Sequence, residues 1–235
     1  MRAARIPCLV LVLTLLPTVV RTQAAADAEV HAQLLIPKSH ERQRTAAAVL
    51  WLKPTQDTPP APFVSSQTYS LLQKNRTFKP HLLIVPIGSV VRFPNADPFF
   101  HNVFSLFDGK RFDLGLYEAG STKSVTFSRE GVSYIFCNIH PEMSAVILAL
   151  STRLFAVADS TGTVRLSGVP AGDYEMHIWV EGVTQPTLNA LTRRVHVGDG
   201  VINAGKIELP AGMHPATSHD NMYGQPYDRD AKPTY

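Results

Sequence analysis

Cysteine is almost missing from this chain. Its 235 residues contain two, Cys8 and Cys137, which is too few for a disulfide framework, a Cys-x-x-Cys redox pair or a Cys-x-x-Cys-His haem attachment. A strong charge of one sign is missing as well. The formal net charge is +3, but Arg2, Arg5 and Arg21 crowd the first 26 residues, and beyond them the basic residues equal the 19 acidic ones in number. That balance leaves no basic footprint for nucleic acid. There is no glycine-rich phosphate loop and no nucleophile elbow of a serine hydrolase. No internal apolar run is long enough to span a membrane, and no amphipathic helix of any length is evident.

What the chain does have begins with a leader. Arg2 and Arg5 precede an apolar stretch from Cys8 to Val20 broken by Pro17, and Ala24-Ala25-Ala26 offers small residues for cleavage before Asp27. This is the pattern of a secretory signal peptide over residues 1–26. The stretch is short for a membrane span, and an uncleaved anchor is the other reading. The expected mature protein is periplasmic or secreted, with no membrane span after signal removal. Cys8 then leaves with the leader, and Cys137 stands alone in an oxidising compartment. A solitary thiol there is either a buried, inert core residue or a metal ligand.

The rest reads as strands. Val30 to Ile36 is one candidate, and Ala46 to Leu52 another, though its alanines also allow a short helix. These form an N-terminal segment, residues 27–53. A Pro-rich linker over 54–68 follows, which cannot enter a sheet. From Tyr69 the strands are dense: Leu82–Val85 and Ser89–Phe93 flank the Pro86-Ile87-Gly88 turn, Asn102–Phe107 leads to the turn at Asp108, and Arg111–Tyr117, Lys123–Phe127, Gly131–Phe136 and Ala145–Leu150 complete a unit over 69–150. A second unit, 151–209, has short alternating strands around Asp159-Ser160-Thr161-Gly162, Val169-Pro170-Ala171-Gly172 and Gly198-Asp199-Gly200. The tail, 210–235, is polar and reads as disordered. Many short strands with Gly and Pro turns imply an all-β protein built as antiparallel sandwiches or barrels.

The chemistry lies in Cys137-Asn138-Ile139-His140-Pro141-Glu142-Met143. A thiolate, an imidazole and a thioether fall within seven residues at the end of a strand. With a second imidazole they are the donors of a type 1 copper site, two His, one Cys and a weak axial Met. The second imidazole is His101, which follows Pro98-Phe99-Phe100, aromatic residues placed to shield it. Asn102 beside it is a candidate for the hydrogen bonds that hold ligand loops together. The alternative is a surface His101 and an incomplete site. Structural zinc would call for more Cys and His and has no use for Met143. The remaining histidines, His31, His40, His81, His177 and His196, have no ligand partner nearby in sequence. Asp108, Asp113 and Glu118 read as turn and surface residues. Asn75-Arg76-Thr77 is a glycosylation sequon, which matters only in a eukaryotic secretory pathway.

Phe93-Pro94-Asn95, His101-Asn102-Val103-Phe104 and the Cys137–Met143 loop resemble the cupredoxins. The ligand spacing is most similar to amicyanin. Phe112-Asp113-Leu114-Gly115-Leu116-Tyr117 together with Cys137-Asn138-Ile139-His140 resembles plastocyanin-like proteins labelled methylamine utilisation proteins. The resemblance covers 69–150. It implies a Greek-key β-sandwich with one type 1 copper ion held by His101, Cys137, His140 and Met143, Met143 being the least secure because Glu142 precedes it. Asp159-Ser160-Thr161-Gly162 and Gly168–Tyr174 resemble a carboxypeptidase regulatory-like, prealbumin-type sandwich, to which residues 30–53 would add the early strand pair, so that the first unit would be inserted in the second.

The expected function is one-electron transfer by an exported blue-copper protein to a redox partner protein, the electron leaving through an exposed edge of His140. A periplasmic copper-handling protein, using Met213, His214, His219 and Met222 in the tail, is the alternative, as is a structural β-protein with a vestigial site. No enzymatic role is expected, because four filled donor positions leave no place for substrate.

Overall fold

The computed structural model describes residues 27–35, 46–55, 68–106, 109–209, 221–223 and 225. The leader with Cys8, His40, most of the Pro-rich linker, Asp108 and most of the tail, including Met213, His214 and His219, lie outside the described residues.

Seventeen strands and one short helix are present among the described residues. In chain order they are β1 (Ala28–Leu35), β2 (Ala48–Pro54), β3 (Tyr69–Ser70), β4 (Leu72–Gln73), β5 (Phe78–Lys79), β6 (Leu82–Pro86), β7 (Ser89–Pro94), β8 (His101–Ser105), β9 (Phe112–Tyr117), β10 (Thr122–Phe127), β11 (Gly131–Phe136), β12 (Ser144–Leu150), β13 (Phe155–Val157), β14 (Thr163–Val169), β15 (Gly172–Val180), α1 (Gln185–Ala190), β16 (Arg193–Val197) and β17 (Val201–Glu208). The fold is all-β. Pro54, which the sequence places in a linker unable to enter a sheet, instead closes β2 opposite Tyr174; like Pro86 and Pro94 it falls at the last position of its strand, where a missing amide donor costs the ladder least.

The strands pair in two sets. The first makes a five-stranded sheet, β6-β12-β11-β8-β9, a three-stranded sheet, β10-β7-β3, and the hairpin β4-β5. In the second, β1 lies between β14 and β17, while β2 lies between β13 and β15, with β16 outside β15. Strand β2 pairs along its whole length with β15, Ala48 opposite Val180 and Pro54 opposite Tyr174. That settles the choice left open for residues 46–52. Alanine has no strong preference against a strand once both edges are paired, and Ala48, Val49, Leu50 and Leu52 are buried. The flanks of the chain thus build common sheets, and residues 69–150 leave from and return to them.

Strands β6 and β7 adjoin in sequence but do not pair. The Pro86-Ile87-Gly88 turn is a corner between the two sheets of the first set. Ile87 donates to the Leu150 carbonyl and Gly88, at φ +86°, donates to that of Phe127. Strand β6 instead runs parallel to β12, Leu82 opposite Val146 and Pro86 opposite Leu150.

Strand β12 explains how the molecule closes. Its Ala145, Ile147 and Ala149 enter the core that holds Phe93, Val103, Ile135, Cys137 and Met143. The alternate residues, Val146, Leu148 and Leu150, enter the other core, among Leu50, Leu52, Met176, Ile178 and Trp179. A strand buried on both faces reads as a continuous apolar run rather than an alternation, which is what Ala145–Leu150 shows. Each large aliphatic side chain so buried contributes roughly 1.5–3 kcal/mol relative to exposure.

Candidate metal centre

Pairing of Phe104 with Phe136 sets β8 antiparallel to β11, so the start of β8 lies beside the end of β11. His101 is the first residue of β8, Cys137 the first after β11, and His140 lies in the loop before β12. The sheet therefore brings together three residues separated by 36 and 39 positions. Cys137 Sγ lies 3.8 Å from His101 Nδ1 and 3.6 Å from His140 Nδ1, and the two Nδ1 atoms are 3.1 Å apart. Such a triangle can be spanned by one ion with bonds of about 2.0–2.3 Å. The three donors are a cluster able to hold a metal ion. Met143 is fully buried in the same core, and its amide donates to the His140 carbonyl at 3.0 Å, which tightens the loop.

Asn102 ties the ligand loop to the sheet. Its Oδ1 accepts the Asn138 amide at 3.2 Å, and its Nδ2 donates to Asp113 Oδ1 at 2.7 Å. Asp113, which the sequence presents as a surface carboxylate, thus fixes which way the Asn102 amide points.

Burial acts on the thiol and the imidazole of this site in opposite senses. Burial pushes the Cys137 thiol above its ordinary range, while the backbone amides of Asn102, Ile139 and His140 act in the opposite sense. A bound cation supplies the charge that makes the thiolate favourable. Burial, helped by the neighbouring His101, brings His140 down to about 4. At neutral pH it is therefore uncharged and able to bind metal.

Two features were missed at the level of sequence. Asp97, four residues before His101, is 5% exposed and its Oδ2 accepts from His101 Nε2 at 2.8 Å. Asn95 is buried beneath it, its Oδ1 accepting the Asp97 amide at 3.0 Å and its Nδ2 donating to the Phe99 carbonyl at 2.8 Å. The available signal was a carboxylate and an amide crowded between two prolines just before a candidate ligand.

The expected exposed edge of His140 is not there. The residue is 2% exposed, and its Nε2 is buried without a hydrogen-bond partner. Phe99 lies over both imidazoles, its ring centre 5.2 Å from that of His101 and 5.6 Å from that of His140. Phe100, the other aromatic expected to shield the site, is 47% exposed. A short piece of the tail also reaches this loop, the Met222 amide donating to Asn138 Oδ1 at 2.9 Å.

The other histidines of the described residues pair with carboxylates: His31 with Glu29, His81 with Glu181, His177 with Glu175 and His196 with Asp173. None of them joins a metal-binding cluster among the described residues.

No family model matches this chain, and no curated protein matches it. Solved structures do resemble it. A purple cupredoxin from Nitrosopumilus maritimus shares 22% identity over 35% of this chain and 99% of its own, with a TM-score of 0.32. A Cu(I) form of an amicyanin variant shares 18% over 43% and 98%, with a TM-score of 0.34. A Cu-containing nitrite reductase from Thermus scotoductus shares 22% over 42% of this chain and 25% of its own, with a TM-score of 0.35. The last of these corrects the expectation that the chain has no enzymatic role. A nitrite reductase stands beside a cupredoxin and amicyanin among the similar structures, so an enzymatic role is not excluded.

Proposed function

We propose that this chain is an exported type 1 copper protein that binds one copper ion through His101, Cys137, His140 and Met143 and passes single electrons to and from a redox partner protein. The observation that carries this reading is the buried triangle of Cys137 Sγ, His101 Nδ1 and His140 Nδ1, with edges of 3.1 to 3.8 Å. Two imidazoles and one thiolate with a thioether in the same core suit copper better than zinc. Bound copper supplies a one-electron couple between its monovalent and divalent states.

The chain's own residues account for the rest. Cys137 gives up its proton on binding. Asn102 holds the loop against β8 so that the donors keep their places in either oxidation state. Phe99 keeps water from the imidazoles. In the same proposal residues 69–150 form the cupredoxin unit, residues 27–53 and 151–209 form a prealbumin-like unit around it, and residues 1–26 direct export to the periplasm. One observation favours copper handling as a second reading: the segment carrying Met222, a soft donor, is anchored at Asn138 in the ligand loop.

The test is the visible and electron paramagnetic resonance spectrum of the copper(II)-loaded mature protein beside Cys137→Ala. An intense blue charge-transfer band with narrow copper hyperfine splitting, lost in the variant, is the expected result. A pale protein, or one unchanged by the substitution, would overturn the blue-copper reading.

A further inference from the structure

Asp97 is a buried carboxylate, and two of the three donors it has among the described residues are backbone amides. Its Oδ1 accepts the amide of Asn75 at 2.6 Å, and its Oδ2 accepts the amide of Arg76 at 3.0 Å together with His101 Nε2 at 2.8 Å. Asn75 and Arg76 are the two residues at the tip of the β4–β5 hairpin. Lys74 and Thr77 exchange backbone hydrogen bonds around them, at 3.0 and 3.2 Å. Both tip residues are left-handed, at φ +56° and +53°, the pattern of a type I′ turn. A non-glycine residue such as arginine adopts that conformation at a cost. What the turn gains is two consecutive amides aimed at one anion, a small backbone nest.

Backbone N–H groups point at both oxygens of the Asp97 carboxylate, an arrangement that suits the charged acceptor. An ionised carboxylate only accepts hydrogen bonds. The proton on the neutral imidazole of His101 must therefore be on Nε2, which leaves a lone pair on Nδ1, the atom that faces Cys137 and His140. His140 has no such partner, since its own Nε2 is buried and unpaired.

We infer that Asp97, held by the amides of the Asn75–Arg76 turn, is the positioning residue for His101: it fixes the imidazole as the Nε2-protonated tautomer, aims Nδ1 at the metal position and sets a negative charge behind the ligand. The inference rests on the proposed metal site, but the tautomer exists whether or not metal is bound. Carboxylate partners of this type raise ligand basicity, and their loss typically lowers metal affinity by about 10–100-fold. The isosteric change Asp97→Asn cannot be absorbed. The amide has one accepting oxygen where the carboxylate has two, so in either orientation its NH₂ faces a backbone N–H of the turn. In one of the two it also faces His101 Nε2 and drives the imidazole proton toward Nδ1.

The experiment is nitrogen-15 NMR of the imidazoles in metal-free protein at neutral pH, followed by titration with zinc(II) and with copper(I), for the native protein and Asp97→Asn. The native His101 is expected to show a protonated Nε2 and an unprotonated Nδ1, and the variant to lose that single tautomer and to bind each metal about 10–100-fold more weakly. Native His101 protonated on Nδ1, or a variant with native tautomer and affinity, would overturn the inference. The native spectrum decides the tautomer even where the variant does not fold. A native protein that binds neither metal defeats the copper reading while leaving the tautomer to judge Asp97.

Discussion

Asn102 shows how much one side chain can organise. Its carbonyl oxygen is the acceptor for Asn138 in the ligand loop, and its NH₂ is spent on Asp113. The residue is 3% exposed, so neither bond can be replaced freely by water. Asn102→Ala removes an acceptor and leaves a part-buried amide unsatisfied, a loss of about 1–3 kcal/mol. The expected result is a lower thermal midpoint in the metal-free protein and, in the copper form, broadened hyperfine lines as the loop from Cys137 to Met143 loses its tether. A variant with native midpoint and native spectrum would show that β8 and the loop hold their register without it. The sequence reading reached Asn102 because it adjoins a candidate ligand. Asp97 escaped it because nothing in a single chain says that the amides of Asn75 and Arg76, 22 and 21 positions upstream, will converge on that carboxylate. The burial of His140 was equally hidden, being set by Phe99 and by neighbours outside its own loop.

At the scale of the element, β12 carries two cores at once, and its two faces should answer differently. Leu148 belongs to the core shared with Leu50 and Trp179, whereas Ile147 belongs to the core with Cys137 and Met143. Leu148→Ala and Ile147→Ala should each cost about 2–5 kcal/mol, the range for such truncations. Only Ile147→Ala should also shift the spectrum of the copper form, because its cavity opens beside the ligands. Paired denaturation curves and visible spectra check this, and a spectral shift from Leu148→Ala would mean that the two cores are mechanically continuous through the strand. The existence of β12 was plain in its apolar run. Its double burial was also implied, since an alternating pattern would have left one face polar. The pairing of β6 with β12 was not legible, because Leu82–Val85 lies nearer in sequence to Ser89–Phe93, and local turn chemistry at Pro86-Ile87-Gly88 says nothing about whether the next strand returns or crosses to another sheet.

At the scale of the molecule, the two sets of strands are joined by the apolar faces of β12 and β6 and, among the described residues, by the pairs Lys53 with Glu130 at 2.9 Å and His81 with Glu181 at 2.8 Å. The pairs are partly exposed and so contribute little beside the apolar contact. The tail makes a third connection, and it is the one that touches the chemistry. Asn221 builds a turn, its side chain accepting the amides of Tyr223 and Gln225 at 2.9 and 3.1 Å, and this turn presents the Met222 amide to Asn138, the residue between Cys137 and Ile139. Such a contact guards the loop only as long as the turn stays in place. A chain ending at residue 220 should therefore expose Cys137 in the metal-free protein to an aromatic disulfide reagent severalfold faster than the full chain does, and Asn138→Ala should give part of the same increase. The native midpoint should hardly move in either case, because none of the described residues of the tail is buried. Equal thiol reactivity in the full and shortened chains would assign the protection of the site to Phe99 and the sheet alone.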